Sequence, residues 1–184
     1  MNKDALEVLY SRRSIRKFKS EQIKDEELDQ VLKAGMYAPS AMGMQSPTII
    51  AVQNKDDIAK LNKLSLDIMN SGGSGIKREG LPYYGAPTII LVGYTSIAKN
   101  DYLGTLDCAA ACTNMLNAAY ALGLGSCWIH RFHEISESNE GKALLEKWGI
   151  KDKVVGVASI ALGYPDMELP KPRDRKDNYI VKIK

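Results

Sequence analysis

A dense group of basic residues near the start of the chain is suited to binding an anion. Five of them lie within eight positions, with Ser14 between the arginines: Arg12, Arg13, Arg16, Lys17 and Lys19. Guanidinium groups hold phosphate through bidentate, charge-assisted hydrogen bonds, and a neighbouring hydroxyl adds a further donor. The pattern makes a phosphate-bearing cofactor the first hypothesis. A solvated basic loop is the ordinary alternative, although Ile15 and Phe18 in the same stretch indicate a partly buried segment.

A second basic group lies close to the other end of the chain and comprises Lys171, Arg173, Arg175 and Lys176. Both groups would contact one phosphate if the fold brings the two chain ends together. Basic clusters are also typical of nucleic-acid binders, so a small nucleic-acid-binding protein is a competing interpretation. That interpretation predicts a colourless protein whose binding weakens steeply with added salt.

The stretch 38–47 combines turn-forming residues with groups that suit a planar ligand. Turn chemistry alone explains Pro39 and Ser40. Small side chains such as Ala41 would also let a flat ring approach the backbone. Gln45 carries both a donor and an acceptor, which match the edge of a heterocycle.

The stretch 121–129 places Gly123 and Gly125 directly after an apolar helix. It lacks the complete dinucleotide-binding fingerprint and follows a helix rather than a strand, so a dinucleotide-binding turn of that type is not expected. The glycines either end the helix or let the backbone approach a ligand closely. Both interpretations remain open from the sequence.

Hydrophobic periodicity predicts helices that alternate with strands, which indicates an α/β or α+β layered fold. The predicted helices cover residues 3–11, 24–37, 55–70, 103–122 and 136–148. The predicted strands cover residues 48–53, 88–92, 126–129 and 154–162. The glycine-rich stretch 71–80 is expected to be a solvent loop rather than a lid. From Tyr164 onward, prolines and charges predict an extended arm.

The composition is that of an ordinary globular protein, with 184 residues, 45% hydrophobic and 26% charged. Its net charge of +3 is too small to indicate nucleic acid or a membrane by itself. An odd number of cysteines and no evident secretory leader predict reduced thiols and a cytoplasmic location. No apolar stretch reaches the ~18 residues of a membrane span.

These stretches, in this order, resemble the FMN-dependent nitroreductase family. The likeness covers nearly the whole chain and rests on RRSIRKF, a helix ending in APS, Gln45 before a strand, GAPTIILV, an alanine-rich helix entering GLGSCWI, ALGYP and PKPR. The resemblance implies an α+β fold: a three-layer α/β/α sandwich with a mostly antiparallel central sheet and an extended C-terminal arm. It further implies one domain over residues 1–184, with 164–184 as the arm, and a homodimer with FMN at the subunit interface.

The resemblance also implies roles for matching residues. The phosphate, ribityl chain and pyrimidine side of FMN would be bound by Arg12, Arg13, Ser14 and Arg16. The ring would be approached from the partner subunit by its Pro39, Ser40, Ala41 and Gln45. The flavin edge would be lined, through backbone groups, by Gly125, Cys127, Trp128 and Ile129. The arm would close on the phosphate through Arg173, with Lys171 or Arg175 as further candidates.

In such an enzyme the flavin carries out the redox step, and the protein supplies binding, orientation and local charge. NADH or NADPH would reduce the flavin and leave. A small-molecule acceptor, such as a nitroaromatic or a quinone, would then occupy the same cavity in a ping-pong cycle. Arg13 or Arg16 would stabilise negative charge on the reduced flavin. No side chain is required as a catalyst, and only His130 is singled out as a candidate proton donor.

Three features depart from the usual family pattern: Gly43 where Asn is common, Ser46-Pro47 where Pro-Trp is common, and His130 where a small residue is common. They leave FMN binding expected but the substrate pocket, the acceptor and the NADH or NADPH preference undetermined. A flavin-binding sensor or carrier on the same fold is the second interpretation. His130 and His133 are poorly spaced for a metal, so no metal site is expected.

Overall fold

The computed structural model describes residues 4–71 and 77–184. The helices are α1 (Ala5–Ser11), α2 (Asp25–Met36), α3 (Lys55–Ser71), α4 (Asp101–Ala121), α5 (Phe132–Glu137) and α6 (Asn139–Lys147). The strands are β1 (Pro47–Val52), β2 (Thr88–Tyr94), β3 (Gly125–Ile129) and β4 (Val155–Gly163). One turn of 3-10 helix, Ala41–Gly43, precedes β1.

The four strands form one antiparallel sheet in the order β1-β2-β4-β3. The register pairs Pro47 of β1 with Tyr94 of β2. At the other end of the sheet, Thr88 of β2 pairs with Leu162 of β4, and Gly125 of β3 pairs with Gly163. The central strands β2 and β4 are buried along nearly their whole length. This burial explains their continuous apolar sequences, because neither face of either strand meets water.

Helices cover both faces of the sheet, and the alternation along β2 shows the three layers. Ile90 and Val92 belong to a core cluster that includes buried residues of α2 and α4. Ile89 and Leu91 belong to the opposite cluster, which includes residues of α3, α5 and α6. The predicted α+β, three-layer α/β/α arrangement with an antiparallel sheet is therefore confirmed.

Capping residues end or begin α3 and α4 close to the positions predicted from the sequence. Asn54 begins α3, since its side-chain oxygen accepts from the backbone N–H groups of Asp56 and Asp57, both at 3.1 Å. After α4 the chain reverses at Gly123, whose φ of +81° is the left-handed conformation common beyond a helix C-terminus. The next residue closes this turn, because Leu124 N donates to Ala119 O at 2.8 Å.

The helix predicted over residues 136–148 is confirmed in most of its length as α6, but it begins at Asn139 rather than at residue 136. A separate short helix that was not predicted, α5, precedes it, and the two helices meet at Ser138. Ser138 has extended backbone angles, and its hydroxyl accepts from the N–H of Gly141 at 3.0 Å. It acts as the N-cap of α6, and the chain turns within the stretch 136–142, which contains no apolar side chain.

Beyond β4, residues 164–184 contain no helix or strand, as predicted for the arm. The first part of the arm pairs with the N-terminal segment through a bridge between Phe18 and Pro165. Residues 171–184 are exposed. The predicted loop 71–80 falls largely on residues 72–76, which lie outside the described residues. Among the helices that the structure describes, none is long and apolar enough to cross a membrane.

Candidate functional site

The basic segment near the N-terminus lies directly against strand β3. Ser14 forms a parallel bridge with Ser126, and Ile15 N donates to Ser126 O at 2.9 Å. Gly125 makes this approach possible, because a Cβ at that position would lie 2.9 Å from Cγ2 of Ile15. The structure therefore brings together two of the segments predicted to bind the cofactor, which are more than 100 residues apart in sequence.

Two of the three arginines of this segment are only partly solvated, and Arg16 is exposed. Arg12 and Arg13 are both half-buried. Partial burial, and then the neighbouring Arg13 guanidinium, lower the pKa of Arg12 from its usual value. Nη1 of Arg13 donates to the carbonyl oxygens of Tyr10 and Arg12, at 2.9 and 2.7 Å. Its Nε is buried without a hydrogen-bond partner among the described residues. Two crowded guanidinium groups with an unused donor make an environment that favours an anion.

Cys127 of β3 shows how closely the basic side chains surround this strand. The residue is only 2% exposed. Burial raises the pKa of its thiol, and this effect is opposed by the Arg16 guanidinium, a hydrogen bond with Ser14 and the Arg12 guanidinium. Arg12, Ser14 and Arg16 thus all lie near the Cys127 thiol. The thiol itself is packed inside, as expected for a buried, neutral cysteine.

Loop 38–47, predicted to approach the flavin ring, is tied down by its own hydrogen bonds. The Ser40 hydroxyl accepts from the backbone N–H of Gln45 at 2.9 Å. Pro39 and Gln45 are exposed, whereas Ser40 and Ala41 are half-buried. The loop borders a cavity of about 370 Å³ that is also lined by α2 and β1 residues such as Leu32 and Ile49.

One residue that holds this loop was not predicted. Asp107 of α4 is 6% exposed, and its carboxylate accepts from Ala41 N at 2.8 Å and from the Ser46 hydroxyl at 2.7 Å. A signal was present in the sequence, because Asp107 is the single charged residue in the apolar stretch 103–122. Ser46, which with Pro47 departs from the family pattern, is therefore one of the two residues by which Asp107 holds the loop.

The two predicted parts of the site lie at opposite corners of the sheet. Loop 38–47 leads into Pro47, which pairs with the Tyr94 end of β2 on one edge strand. Ser14 and Gly125 lie beside the other edge strand, at the Thr88 end of β2. Three strand spacings are about 14 Å, and the six residue steps of β2 are about 20 Å. The corners are therefore about 25 Å apart within one chain.

The basic group in the arm is exposed. Nearer β4, the arm contacts the N-terminal basic segment: Lys17 Nζ is 2.7 Å from an Asp166 carboxylate oxygen, and Arg16 N donates to the Met167 sulfur at 3.4 Å. Arg173 and Arg175 are exposed, and Nη1 of Arg175 donates to Arg173 O within the arm. The role of Lys171, Arg173 and Arg175 at a phosphate stays a prediction.

A second cavity, of about 490 Å³, borders the far end of β3. Trp128 and Ile129 line it and are half-buried, and the exposed His130 lies beside them. His133 instead contacts the backbone of β4, since its Nδ1 lies 3.1 Å from the carbonyl oxygen of Gly156. The two histidines therefore lie in different environments, His130 at the cavity and His133 beside the Gly156 carbonyl.

Comparison with known proteins identifies the family. The model of the Nitroreductase family matches residues 9–164. The chain belongs to the nitroreductase family. The resemblance noted in the sequence is therefore confirmed, and with it the assignment as an oxidoreductase.

Relatives in sequence and in structure cover nearly the full chain. A protein of Archaeoglobus fulgidus, provisionally named an NADH dehydrogenase/NAD(P)H nitroreductase, is 33% identical over 96% of this chain and 90% of its own length. A nitroreductase of Bacteroides fragilis, crystallised with bound FMN, has a TM-score of 0.89 at 29% identity and covers 99% of this chain and 100% of its own. An FMN-dependent nitroreductase of Clostridium difficile has a TM-score of 0.83 at 25% identity, with full coverage of both chains.

Proposed function

We propose that this nitroreductase-family chain is an FMN-dependent oxidoreductase that passes electrons from NADH or NADPH to small, electron-poor acceptors such as nitroaromatics or quinones. In this proposal residues 1–184 form one FMN-binding domain with residues 164–184 as its arm, and two copies form the functional homodimer. The observation that carries the proposal is the docking of the segment that contains Arg12, Arg13 and Ser14 against β3, through Ser14 and Ile15. The FMN-bound Bacteroides fragilis relative supports the choice of cofactor.

The residues of this docked segment fit the anionic end of FMN. Arg13 has a buried Nε with no hydrogen-bond partner among the described residues, and such a donor is costly unless it is used. Partial burial and then the neighbouring Arg13 charge lower the pKa of Arg12, and the negative charge of a phosphate would offset both effects. Ser14 lies in the same segment and would add a hydroxyl donor. We assign the phosphate, ribityl and pyrimidine contacts to Arg12, Arg13, Ser14 and Arg16.

The requirement for a second copy of the chain follows from the separation of the two corners. The Gly125 end of β3 is about 25 Å from Pro47, where loop 38–47 of the same chain joins the sheet, and this distance exceeds the reach of a side chain from either corner. If Ser40 and Gln45 contact a ligand bound at that end of β3, they come from a partner subunit. Exposed apolar residues of α1 and α4 offer a surface for such a partner, since Leu9 is 56% exposed and Leu106 is 47% exposed.

When bound, FMN would supply the hydride-accepting and hydride-donating chemistry of the reaction. The chain's own groups would bind and orient it. The backbone of Gly125 to Ile129 would line its edge, and the charge of Arg13 or Arg16 would favour the reduced, anionic form. The donor and the acceptor would use the same cavity in turn, so ping-pong kinetics are expected. Three free, buried cysteines suit a reducing compartment, and the cytoplasm is the proposed location.

The proposal is tested by purification of the chain, identification of any released flavin, and steady-state assays with NADH and NADPH. A yellow dimer that releases FMN, oxidises NAD(P)H and gives parallel double-reciprocal lines with a nitroaromatic or a quinone is expected. A flavin-bound protein whose flavin is reduced by neither nucleotide would indicate a sensor or carrier instead. A protein that binds no added FMN would refute the assignment.

Arg13→Ala examines the cofactor site directly. Loss of a charged hydrogen-bond donor costs about 1.5–3 kcal/mol, so FMN should bind about ten- to hundredfold more weakly. Lys142→Ala, an exposed change on α6, is the control and should bind FMN as the unchanged chain does. Equal FMN affinity of both variants would remove Arg13 from the site.

A further inference from the structure

The carboxylate of Asp107, a residue of α4, is buried. A charged side chain is rarely buried unless its charge is compensated by hydrogen bonds or a counterion. None of the ion pairs between described residues includes Asp107. Its two carboxylate oxygens instead accept hydrogen bonds from loop 38–47, one from Ala41 N and one from the Ser46 hydroxyl.

Asp107 binds loop 38–47 at the residues on either side of its strained stretch, 42–45. Met42 and Gln45 have φ values of 54° and 52°, and Gly43 between them has 67°. The left-handed region is unfavourable for residues that carry a Cβ, and such residues persist where the surroundings impose the conformation. Ala41 precedes this strained run and Ser46 follows it. One oxygen of the carboxylate holds each end, so Asp107 fixes both boundaries of the strained run.

The strain determines where the loop directs its polar residues. With Gln45 in the left-handed conformation, its N–H reaches the Ser40 hydroxyl at 2.9 Å, and both residues border the 370 Å³ cavity. These are two of the residues that the proposed function brings to the partner subunit's cofactor. If the loop relaxed to ordinary backbone angles, its side chains would leave this arrangement.

We infer that Asp107 is a positioning residue: through Ala41 and Ser46 it holds loop 38–47 in the strained conformation that presents Ser40 and Gln45 to the FMN site of the other subunit. This inference rests on the proposed function, because it assigns a purpose to the same site. Asp107 would not touch the cofactor. Its effect would pass entirely through the loop.

Asp107→Ala removes both acceptors and should release the loop. If the presenting conformation falls to a tenth of the population, the apparent Kd for FMN rises about tenfold. Asp107→Asn is the conservative variant: its oxygen can still accept from Ala41 N, and its amide can donate to the Ser46 oxygen. It should bind FMN within about twofold of the unchanged chain. Asp29→Ala, an exposed acid on α2, is the control for a lost negative charge.

The measurements are FMN titration by fluorescence quenching, visible circular dichroism of the bound flavin, and thermal unfolding without flavin. A purely structural role would lower the unfolding temperature and leave both the flavin spectrum and the Kd of the folded protein unchanged, which would overturn the inference. So would equal weakening by Asp107→Ala and Asp107→Asn. If Asp107→Ala does not fold, Ser46→Ala replaces it, with a several-fold rise in Kd expected and no change contradicting the inference.

A mixed dimer tests whether the loop acts across the interface. One subunit carries Asp107→Ala and the other Arg13→Ala, and the two are purified through different tags. If the loop acts on the other subunit's site, one intact site forms, and about half of the unchanged dimer's tight FMN binding returns. If it acts on its own chain, both sites are damaged and no tight binding returns. Failure of the unchanged chain itself to bind FMN would instead refute the proposed function.

Discussion

Gly125→Ala is the most direct perturbation of the contact between the N-terminal segment and β3. The added Cβ would lie 2.9 Å from Cγ2, 3.1 Å from Cβ and 3.2 Å from Cγ1 of Ile15. Carbon atoms pack comfortably at about 3.5–4.0 Å, so the segment must move by several tenths of an ångström or more. Ile15 is 4% exposed, which leaves it little free space on the other side.

The expected cost follows from three terms. Overpacking of this kind costs about 1–3 kcal/mol. Weakening of the Ile15 N to Ser126 O hydrogen bond, at 2.9 Å, costs about 1 kcal/mol more. Replacing a strand glycine by alanine regains about 0.5–1 kcal/mol from chain entropy. The free energy of unfolding should therefore fall by about 1–3.5 kcal/mol. FMN binding should also weaken, because the displaced segment carries Arg12 and Arg13.

A double-mutant cycle with Ile15→Ala supplies the control. In the Ile15→Ala background the atoms Cγ1 and Cγ2 are gone, so Gly125→Ala should cost at least 1 kcal/mol less, a coupling within the range for residues in contact. Urea unfolding of the four proteins gives the coupling, and fluorescence titration gives the FMN affinity. An equal cost in both backgrounds, or a destabilised Gly125→Ala variant with unchanged FMN affinity, would refute this account of the contact.

Three further expectations concern features away from the cofactor. Hydrogen bonds from Lys147 and then from the indole of Trp148 lower the pKa of Asp57. The ionised Asp57 therefore stabilises the fold above the ordinary carboxyl pKa of about 4, and this stabilisation is lost as the pH falls below that value. The unchanged chain should melt at a higher temperature than Asp57→Asn at neutral pH, and this difference should shrink at acidic pH. Burial raises the pKa of Cys108 to about 12, so a thiol reagent at pH 8 should label the folded protein orders of magnitude more slowly than the unfolded one. Ser138→Ala should cost about 1 kcal/mol in urea unfolding by removing the N-cap of α6, and an unchanged midpoint would contradict that role.

Much of the architecture could be predicted from the sequence because its causes are local or periodic. The continuous apolar runs of β2 and β4 indicated strands covered on both faces, and two helical layers provide that cover. Asn54 and Gly123 marked helix ends through their own backbone and side-chain preferences. The N-cap at Ser138 was missed, although residues 136–142 contain no apolar side chain that would continue a hydrophobic period across it.

The sequence predicted residues for the candidate site, but it did not predict how they are arranged. Basic side chains beside Ser14, small residues around Ser40 and glycine at position 125 carry recognisable chemistry wherever they lie. Asp107 was visible as an isolated charge in an apolar helix. Its partners were not, since Ala41 and Ser46 are 66 and 61 residues away and only the packing of loop 38–47 on α4 joins them.

By itself, the sequence determined the family, the alternation of helices and strands, and the kinds of groups available to bind a phosphate and a planar ring. The tertiary structure alone placed Ser14 against Ser126 and loop 38–47 at the opposite corner of the sheet. The physical reason is the strand order, because the register of an antiparallel sheet sets which distant segments meet, and no local preference encodes it. That order separates the two binding segments of one chain and leaves Asp107 to hold one of them in a strained form.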